Sequence, residues 1–338
     1  MQAMGARRGR AGVAGALVVA ALAACAGGDT AAPRAVETVA PAVGLPPPAT
    51  AAPPAPLVEA VPEPPAPPAE PPPPTYLPAG IHEHQVDVDG ASRRWTIVVP
   101  SGGPASALVV VLHGVGGRGA DMRSAGFEPL AAGKGVVLAY PDGAGGAWND
   151  GRPGADPLTP GTPADDGRFL GMLIDETVAR TGADARRVAV VGFSNGAVMA
   201  SRLACDIADR VSALALVAGT AGQGFERSCR PSRPVAVLMA AGVNDSVVPY
   251  AGGRIANWGT KRRGFLAGVD DVFTFWRSQN GCGSVQTAGA EARGSDCRSN
   301  SSVVRYRVGG AAHEWYRAPR FDTTNIVWDF LQRRFALS

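Results

Sequence analysis

One short stretch restricts this chain's folding more than any other. Val188-Ala189-Val190-Val191 leads without a spacer into Gly192-Phe193-Ser194-Asn195-Gly196, which leads in turn into Ala197-Val198-Met199-Ala200-Ser201-Arg202-Leu203. The first run suits a strand buried on both faces, and the last has the composition of a helix. A strand that turns sharply into a helix strains the residue at the corner, and glycine two positions to either side lets the neighbouring elements approach. With 44 glycines in 338 residues, a Gly-x-Ser-x-Gly pattern arises by chance about 0.3 times, so the strand before it and the helix after it carry the inference. Ser194 is therefore a candidate nucleophile lifted clear of a sheet.

The rest of the chain supplies that sheet. Gln85-Val86-Asp87-Val88, then Asp89-Gly90, then Trp95-Thr96-Ile97-Val98-Val99 reads as two antiparallel strands joined by a turn. Apolar runs without alternation follow at 107–112, 135–140, 187–191, 213–218, 235–240 and 303–308. Between them lie helical patterns at 166–180, 195–207, 270–279 and 323–335, the first stopped by Gly182. Strands that alternate with helices predict an α/β fold, a doubly wound and mostly parallel central sheet with helices on both faces.

Composition divides the chain. Most of the 30 prolines crowd the first quarter, as in Pro46-Pro47-Pro48 and Pro71-Pro72-Pro73-Pro74. Residues 25–75 are therefore expected to be a Pro/Ala-rich tether, and 76–338 a single catalytic-sized domain. Before the tether, Arg7, Arg8 and Arg10 precede an apolar run of about 14 residues that ends Leu22-Ala23-Ala24-Cys25, shorter than the roughly 20 a membrane-spanning helix needs. Residues 1–24 resemble a bacterial lipoprotein signal peptide, which implies an exported chain with Cys25 as its lipidated terminus and no other membrane contact.

The remaining cysteines, Cys205, Cys229, Cys282 and Cys297, are even in number, as in a chain that enters an oxidising compartment. Three connectivities are open, and sequence proximity favours Cys205 with Cys229 and Cys282 with Cys297. Their spacing does not make a zinc ligand set, so no metal is expected. The net charge of +3 is scattered. Its one tight cluster, Lys261-Arg262-Arg263, reads as a solvated loop, so nucleic acid is not implied.

A serine hydroxyl needs a general base, and the chain has four histidines, His82, His84, His113 and His313. In strand-turn-helix serine sites the order along the chain is serine, acid, histidine, and only His313 follows Ser194. Among the acids between them, Asp206 and Asp209 end the helix after the serine, Asp270 and Asp271 sit where a helix N-cap belongs, and Glu226, Glu291 and Asp296 fall in loops between cysteines. Asp245, just after the run at 235–240, is left to orient the histidine. An oxyanion needs two backbone N–H donors. Asn195 supplies one, and the glycine-rich His113-Gly114-Val115-Gly116-Gly117 supplies the other at Val115, with His113 bracing the loop. Trp148 and Trp315, near the expected mouth, are candidate substrate contacts.

These fragments, together with Leu112-His113-Gly114, Tyr140-Pro141-Asp142-Gly143, Asp165-Asp166-Gly167, Asp245 to Tyr250, Asn280-Gly281-Cys282 and Gly309 to Trp315 in that order, resemble the secreted polyhydroxybutyrate depolymerase and feruloyl esterase group of the α/β-hydrolases. The resemblance covers residues 81–335. It implies a serine esterase without cofactor, with Ser194 as nucleophile, Asp245 as acid and His313 as base, acting on a small or polymeric ester. An alcohol acceptor in place of water would make the same scaffold an acyltransferase. A triad without turnover would leave a tethered binding protein. The chain has Glu314-Trp315-Tyr316 after the histidine where the group usually has Thr-Trp-Pro.

Overall fold

The computed structural model describes residues 75–102, 104–156, 164–256 and 262–336. The leader expected over 1–24, Cys25, Lys261 and all but the last residue of the tether expected over 25–75 lie outside the described residues.

Strands β1 (Gly80–Val88) and β2 (Ala91–Val99) pair antiparallel. Asp89 and Gly90 between them both have positive φ, 53° and 80°, as a tight right-twisted hairpin requires. There follow β3 (Ala107–Leu112), the short helices α1 (Gly119–Met122) and α2 (Glu128–Ala131), β4 (Val136–Pro141) and α3 (Asp166–Thr181). Helix α3 starts where Asp165 accepts the N–H of Arg168 and stops at Gly182, whose φ of 72° ends the helix as the sequence predicts. Next are β5 (Val188–Phe193), α4 (Asn195–Asp206), β6 (Ala213–Val217) and β7 (Ala236–Gly242). A two-strand ribbon, β8 (Gly253–Arg254) with β9 (Phe265–Leu266), precedes α5 (Val269–Gln279), β10 (Val285–Ala288), β11 (Glu291–Gly294), β12 (Val303–Val308) and α6 (Thr323–Ala336).

Ten of these strands form one sheet in the order β1-β2-β4-β3-β5-β6-β7-β12-β11-β10. The six from β4 to β12 are parallel, and antiparallel hairpins finish both edges. The period-2 alternation of side chains splits each central strand between two cores. Leu108, Val110 and Leu112 face one side with Val188, Val190 and residues of α3, α4 and α5, while Val109 and Val111 face the other with Ala189, Val191 and residues of α6. The expected doubly wound α/β architecture is present, with helices on both faces.

The β10-β11 hairpin is a departure from the sequence reading. Its outer strand is exposed throughout, so it carries no apolar run, and Glu291, expected in a loop, opens β11. Similarly, α5 is capped by Gly268, so Asp270 and Asp271 occupy its first turn, where they complement the helix dipole. Disulfides join Cys205 to Cys229 and Cys282 to Cys297, closing loops of 24 and 15 residues, each worth about 3 kcal/mol by loop-closure entropy.

The chain goes from β3 to β4 on one side, then returns past β3 to β5 on the other. That reversal opens a crevice at the carboxyl ends of β3 and β5, where ligands bind in open α/β sheets. His113-Gly114-Val115 and Ser194 both lie at those ends.

Candidate active site

The turn at Ser194 is fixed by steric exclusion. A Cβ on Gly192 would sit 2.2 Å from the Gly196 carbonyl oxygen, and one on Gly196 would sit 2.5 Å from that of Leu112. With both positions closed to side chains, β5 and α4 meet at a corner, and Ser194 takes φ 56° and ψ −120°, which L-residues rarely adopt. Its backbone N–H is held by the Val217 carbonyl at 2.9 Å.

His313 reaches this serine from the loop after β12. Its Nε2 is 2.8 Å from Ser194 Oγ, and its Nδ1 is 2.8 Å from Asp245 Oδ2. A carboxylate accepts only, so Nδ1 carries the proton and the Nε2 lone pair faces the hydroxyl. Asp245 is buried, and its Oδ1 accepts the N–H groups of Val247 and Val248, each at 2.8 Å. The two loops are knitted together: Asn244 donates to the Ala311 carbonyl, and the Gly242 N–H donates to the Tyr316 hydroxyl at 2.7 Å. Burial pushes the Tyr316 phenol up from its ordinary pKa, so it remains neutral. Phe193 lies against the imidazole, ring centres 5.4 Å apart, and restricts its swing.

The opposite side of the serine rests on His113 and Asn195. The His113 Nδ1–H donates to the Gly114 carbonyl, 2.6 Å away, and its Nε2 accepts from the Gly143 N–H at 2.9 Å. Burial lowers its pKa, opposed by the Gly114 carbonyl and Asp142, which fits a neutral ring bonded through both nitrogens. The Asn195 side chain accepts from the Trp148 N–H and donates to the Trp148 carbonyl and to Asp150 Oδ2 at 2.6 Å. The segment after β4 is thus bolted to the helix that begins at Ser194. The Asn195 backbone N–H opens α4, in the turn whose amides lack intrahelical partners, and Val115 lies in the wall beside Ser194.

A cavity of about 560 Å³ opens over Ser194 and His313, walled by Val115, Phe193, Val247, Ile255 and Arg263 among others. Neither tryptophan expected as a substrate contact lines it. Trp148 is fully buried and donates its indole N–H to the His113 carbonyl, which makes it a brace. Trp315 is wedged edge-on against Phe127 and Phe193 with its indole N–H on Thr324, and it faces a separate depression. Arg263 also departs from expectation, since it faces the cavity although its cluster reads as a solvated loop. Sequence reasoning missed Phe193, Val247 and Ile255 as well. Phe193 was visible as the variable residue of Gly-x-Ser-x-Gly, whereas Val247 and Ile255 lie outside any periodic pattern.

Comparison with known proteins fixes the fold. An acetyl xylan esterase from Aspergillus awamori superposes with a TM-score of 0.50 at 14% identity, over 76% of this chain and 100% of its own. The chain has the α/β-hydrolase fold. No family model matches it. By sequence, the chain is 31% identical to feruloyl esterase B of Piromyces equi over 244 residues, 69% of the chain and 43% of that protein. It is 28% identical to the bifunctional acetylxylan esterase/xylanase XynS20E of Neocallimastix patriciarum, over 72% of the chain and 34% of the relative. The chain thus spans less than half the length of these two relatives. Their names agree with the resemblance drawn from the motifs.

Proposed function

We propose that this α/β-hydrolase domain is a serine carboxylic ester hydrolase, with Ser194, His313 and Asp245 as its triad. The observation that carries the reading is the continuous line from Ser194 Oγ through both nitrogens of His313 to Asp245, with both links at 2.8 Å. Ser194 Oγ attacks the ester carbonyl carbon while His313 Nε2 takes its proton. Asp245 holds the tautomer and stabilises the imidazolium. The oxyanion is stabilised by the backbone N–H groups of Val115 and Asn195. Collapse of the tetrahedral intermediate breaks the bond to the alcohol, which leaves with the proton from His313 and leaves an acyl-Ser194 ester. Water, deprotonated by His313, then releases the acid and restores the serine.

The relatives and the motifs together support as substrates acetyl or feruloyl esters on a polysaccharide, or a short-chain hydroxyalkanoate polyester. Export on a lipoprotein-type leader, with Cys25 lipidated and residues 25–75 as a tether, would present the site to such polymers outside the cell. Two disulfides within the domain support the export.

The test is labelling with a fluorophosphonate, alongside rates on a panel of p-nitrophenyl, feruloyl, acetyl and hydroxybutyrate esters. Labelling of the wild type that Ser194→Ala abolishes, with a loss of about 10⁵-fold in kcat/KM, is expected. Failure of the wild type to label would sink the reading.

A further inference from the structure

Residues 309–322, which carry His313, join β12 to α6 with no helix or strand among them. The imidazole is bonded at two corners, to Asp245 through Nδ1 and to Ser194 through Nε2. Two bonds in the plane of a ring define a line, about which the ring is still free to tilt. Only contact with its face opposes that motion.

Phe193 supplies this contact, with ring centres 5.4 Å apart and planes at 32°. It is the last residue of β5 and pairs with Val217, so the sheet fixes its backbone. Its ring also abuts the loop after β3, since a Cβ added to Gly114 would lie 3.2 Å from it. Trp315 bears on the same ring, centres 6.3 Å apart and planes at 63°. His313 and Trp315, two residues apart in one loop, thus close on one phenyl group.

Trp315 is itself anchored behind. Its ring meets the fully buried Phe127 edge-on, centres 5.9 Å apart at 86°. Its indole N–H donates to Thr324 Oγ1 at 3.0 Å, and that hydroxyl donates in turn to the Ala125 carbonyl at 2.6 Å. Arg317 Nη2 donates to the Ser124 carbonyl at 3.1 Å. The histidine loop and the first turn of α6 therefore grip residues 124–127 at three points. Phe127, Trp315, Phe193 and His313 form one row of rings, each neighbouring pair within the roughly 4.5–7 Å of favourable ring contacts.

We propose that Trp315 is a positioning residue, which acts through Phe193 to hold the His313 imidazole in the plane where Nε2 meets Ser194 and Nδ1 meets Asp245. The proposal rests on the esterase reading, in which His313 is the base. Trp315 is not among the walls of the cavity over Ser194, so its grip acts on the base and not on a bound ester.

The test follows two quantities in the full chain: the rate constant of fluorophosphonate labelling and its final stoichiometry. Trp315→Leu lowers the rate constant, and kcat on p-nitrophenyl acetate with it, by about tenfold, the scale of a sub-ångström misplacement of a reacting group. KM changes little, and labelling still reaches one per chain. A role in folding alone would lower the stoichiometry and leave the rate constant. Trp315→Phe keeps a ring edge against Phe193 and recovers the rate to within about threefold of wild type. The Nδ1–H proton that His313 holds on Asp245 gives a downfield NMR signal, which broadens in Trp315→Leu and is sharp in wild type and Trp315→Phe. Should Trp315→Leu fail to fold, Thr324→Val keeps the side-chain volume, removes the indole's partner and shows the same pattern at about threefold. An unchanged labelling rate constant, an unchanged Nδ1–H signal, or a loss in Trp315→Phe as large as in Trp315→Leu overturns the proposal while the esterase reading stands. A wild type that never labels sinks the esterase reading, and the NMR comparison still decides whether Trp315 holds His313.

Discussion

The two sides of Ser194 are built differently. On the side of β4, Gly143, Ala147, Trp148 and Asp150 are buried, and their polar groups are bonded to His113, Asn195 and Arg152. The buried Arg93–Asp166 pair completes that frame, with Asp166 Oδ2 also accepting the Asn149 N–H. On the side of β7 and the β8-β9 ribbon, the cavity wall is formed by Ser246, Val247, Ile255 and Ala256 with Arg263, and Val247 is 43% exposed. A buried, fully bonded frame tolerates few residue types, because each change leaves a polar group unpartnered. An exposed apolar wall tolerates many. On the proposed reading, the difference teaches that this site would fix its reaction geometry and its choice of ester in separate places.

Asp245 is the sharpest place to break that comparison, because it belongs to both sides. It is buried like the frame, yet it opens the loop that forms the wall. Asp245→Asn keeps an oxygen for the N–H groups of Val247 and Val248 but turns an amide N–H₂ toward His313 Nδ1, which forces the wrong tautomer. We expect kcat/KM to fall by about 10⁴-fold while the melting temperature moves little. A large drop in melting temperature would mean that Asp245 serves the wall's structure and not the histidine.

His113 tests the frame itself. Both ring nitrogens are bonded in the neutral form, and burial holds the folded pKa below the ordinary 6.5. The sign follows from linkage: the unfolded chain binds the proton first, so the stability His113 contributes is present above about pH 6.5 and is lost as pH falls toward the folded pKa. His113→Gln should cost about 2 kcal/mol at pH 7.5, roughly 4–8 °C in melting temperature. The gap to wild type should narrow by pH 5. His84, whose pKa is also lowered by burial, is present in both proteins and cancels in the gap. Calorimetric melting at several pH values decides it, and a gap that stays constant with pH refutes the assignment of a buried neutral ring.

This contrast also marks what the sequence could reveal. The meeting of Ser194, His313 and Asp245 was legible because its causes are local or exclusive. Gly192 and Gly196 admit no side chain, His313 is the sole histidine after Ser194, and β3 to β7 are unbroken apolar runs, whereas β12 carries Arg305 and Arg307. The wall was not legible. Val247 and Ile255 sit in loops where no periodicity applies, and Arg263 was indistinguishable from its solvated neighbour Arg262 until the pleat of one short segment pointed them apart. Trp148 and Trp315 misled for the complementary reason: residue type suggested a stacking surface, but each indole N–H found a partner within the fold, on His113 and Thr324. The β10-β11 hairpin escaped because an exposed edge strand needs no hydrophobic signal.

The smallest expected effect falls on the wall, and it sharpens the comparison most. Val247 lines the cavity with nearly half of its surface in water, and its structural duty is carried by its backbone N–H on Asp245, which Val247→Ala retains. Removing two methyl groups from a half-exposed position should shift stability by less than about 0.5 kcal/mol. The same truncation removes apolar contact from any acyl or alcohol chain that lies in the cavity, at up to about 0.8 kcal/mol per buried methylene. Rates on p-nitrophenyl butyrate should therefore fall by about threefold while those on the acetate change little, since a two-carbon acyl group extends less far along the wall. Equal losses on both esters, or a melting temperature lowered as far as that of His113→Gln, would show that the wall is coupled to the frame after all and that selectivity cannot be altered without disturbing the triad.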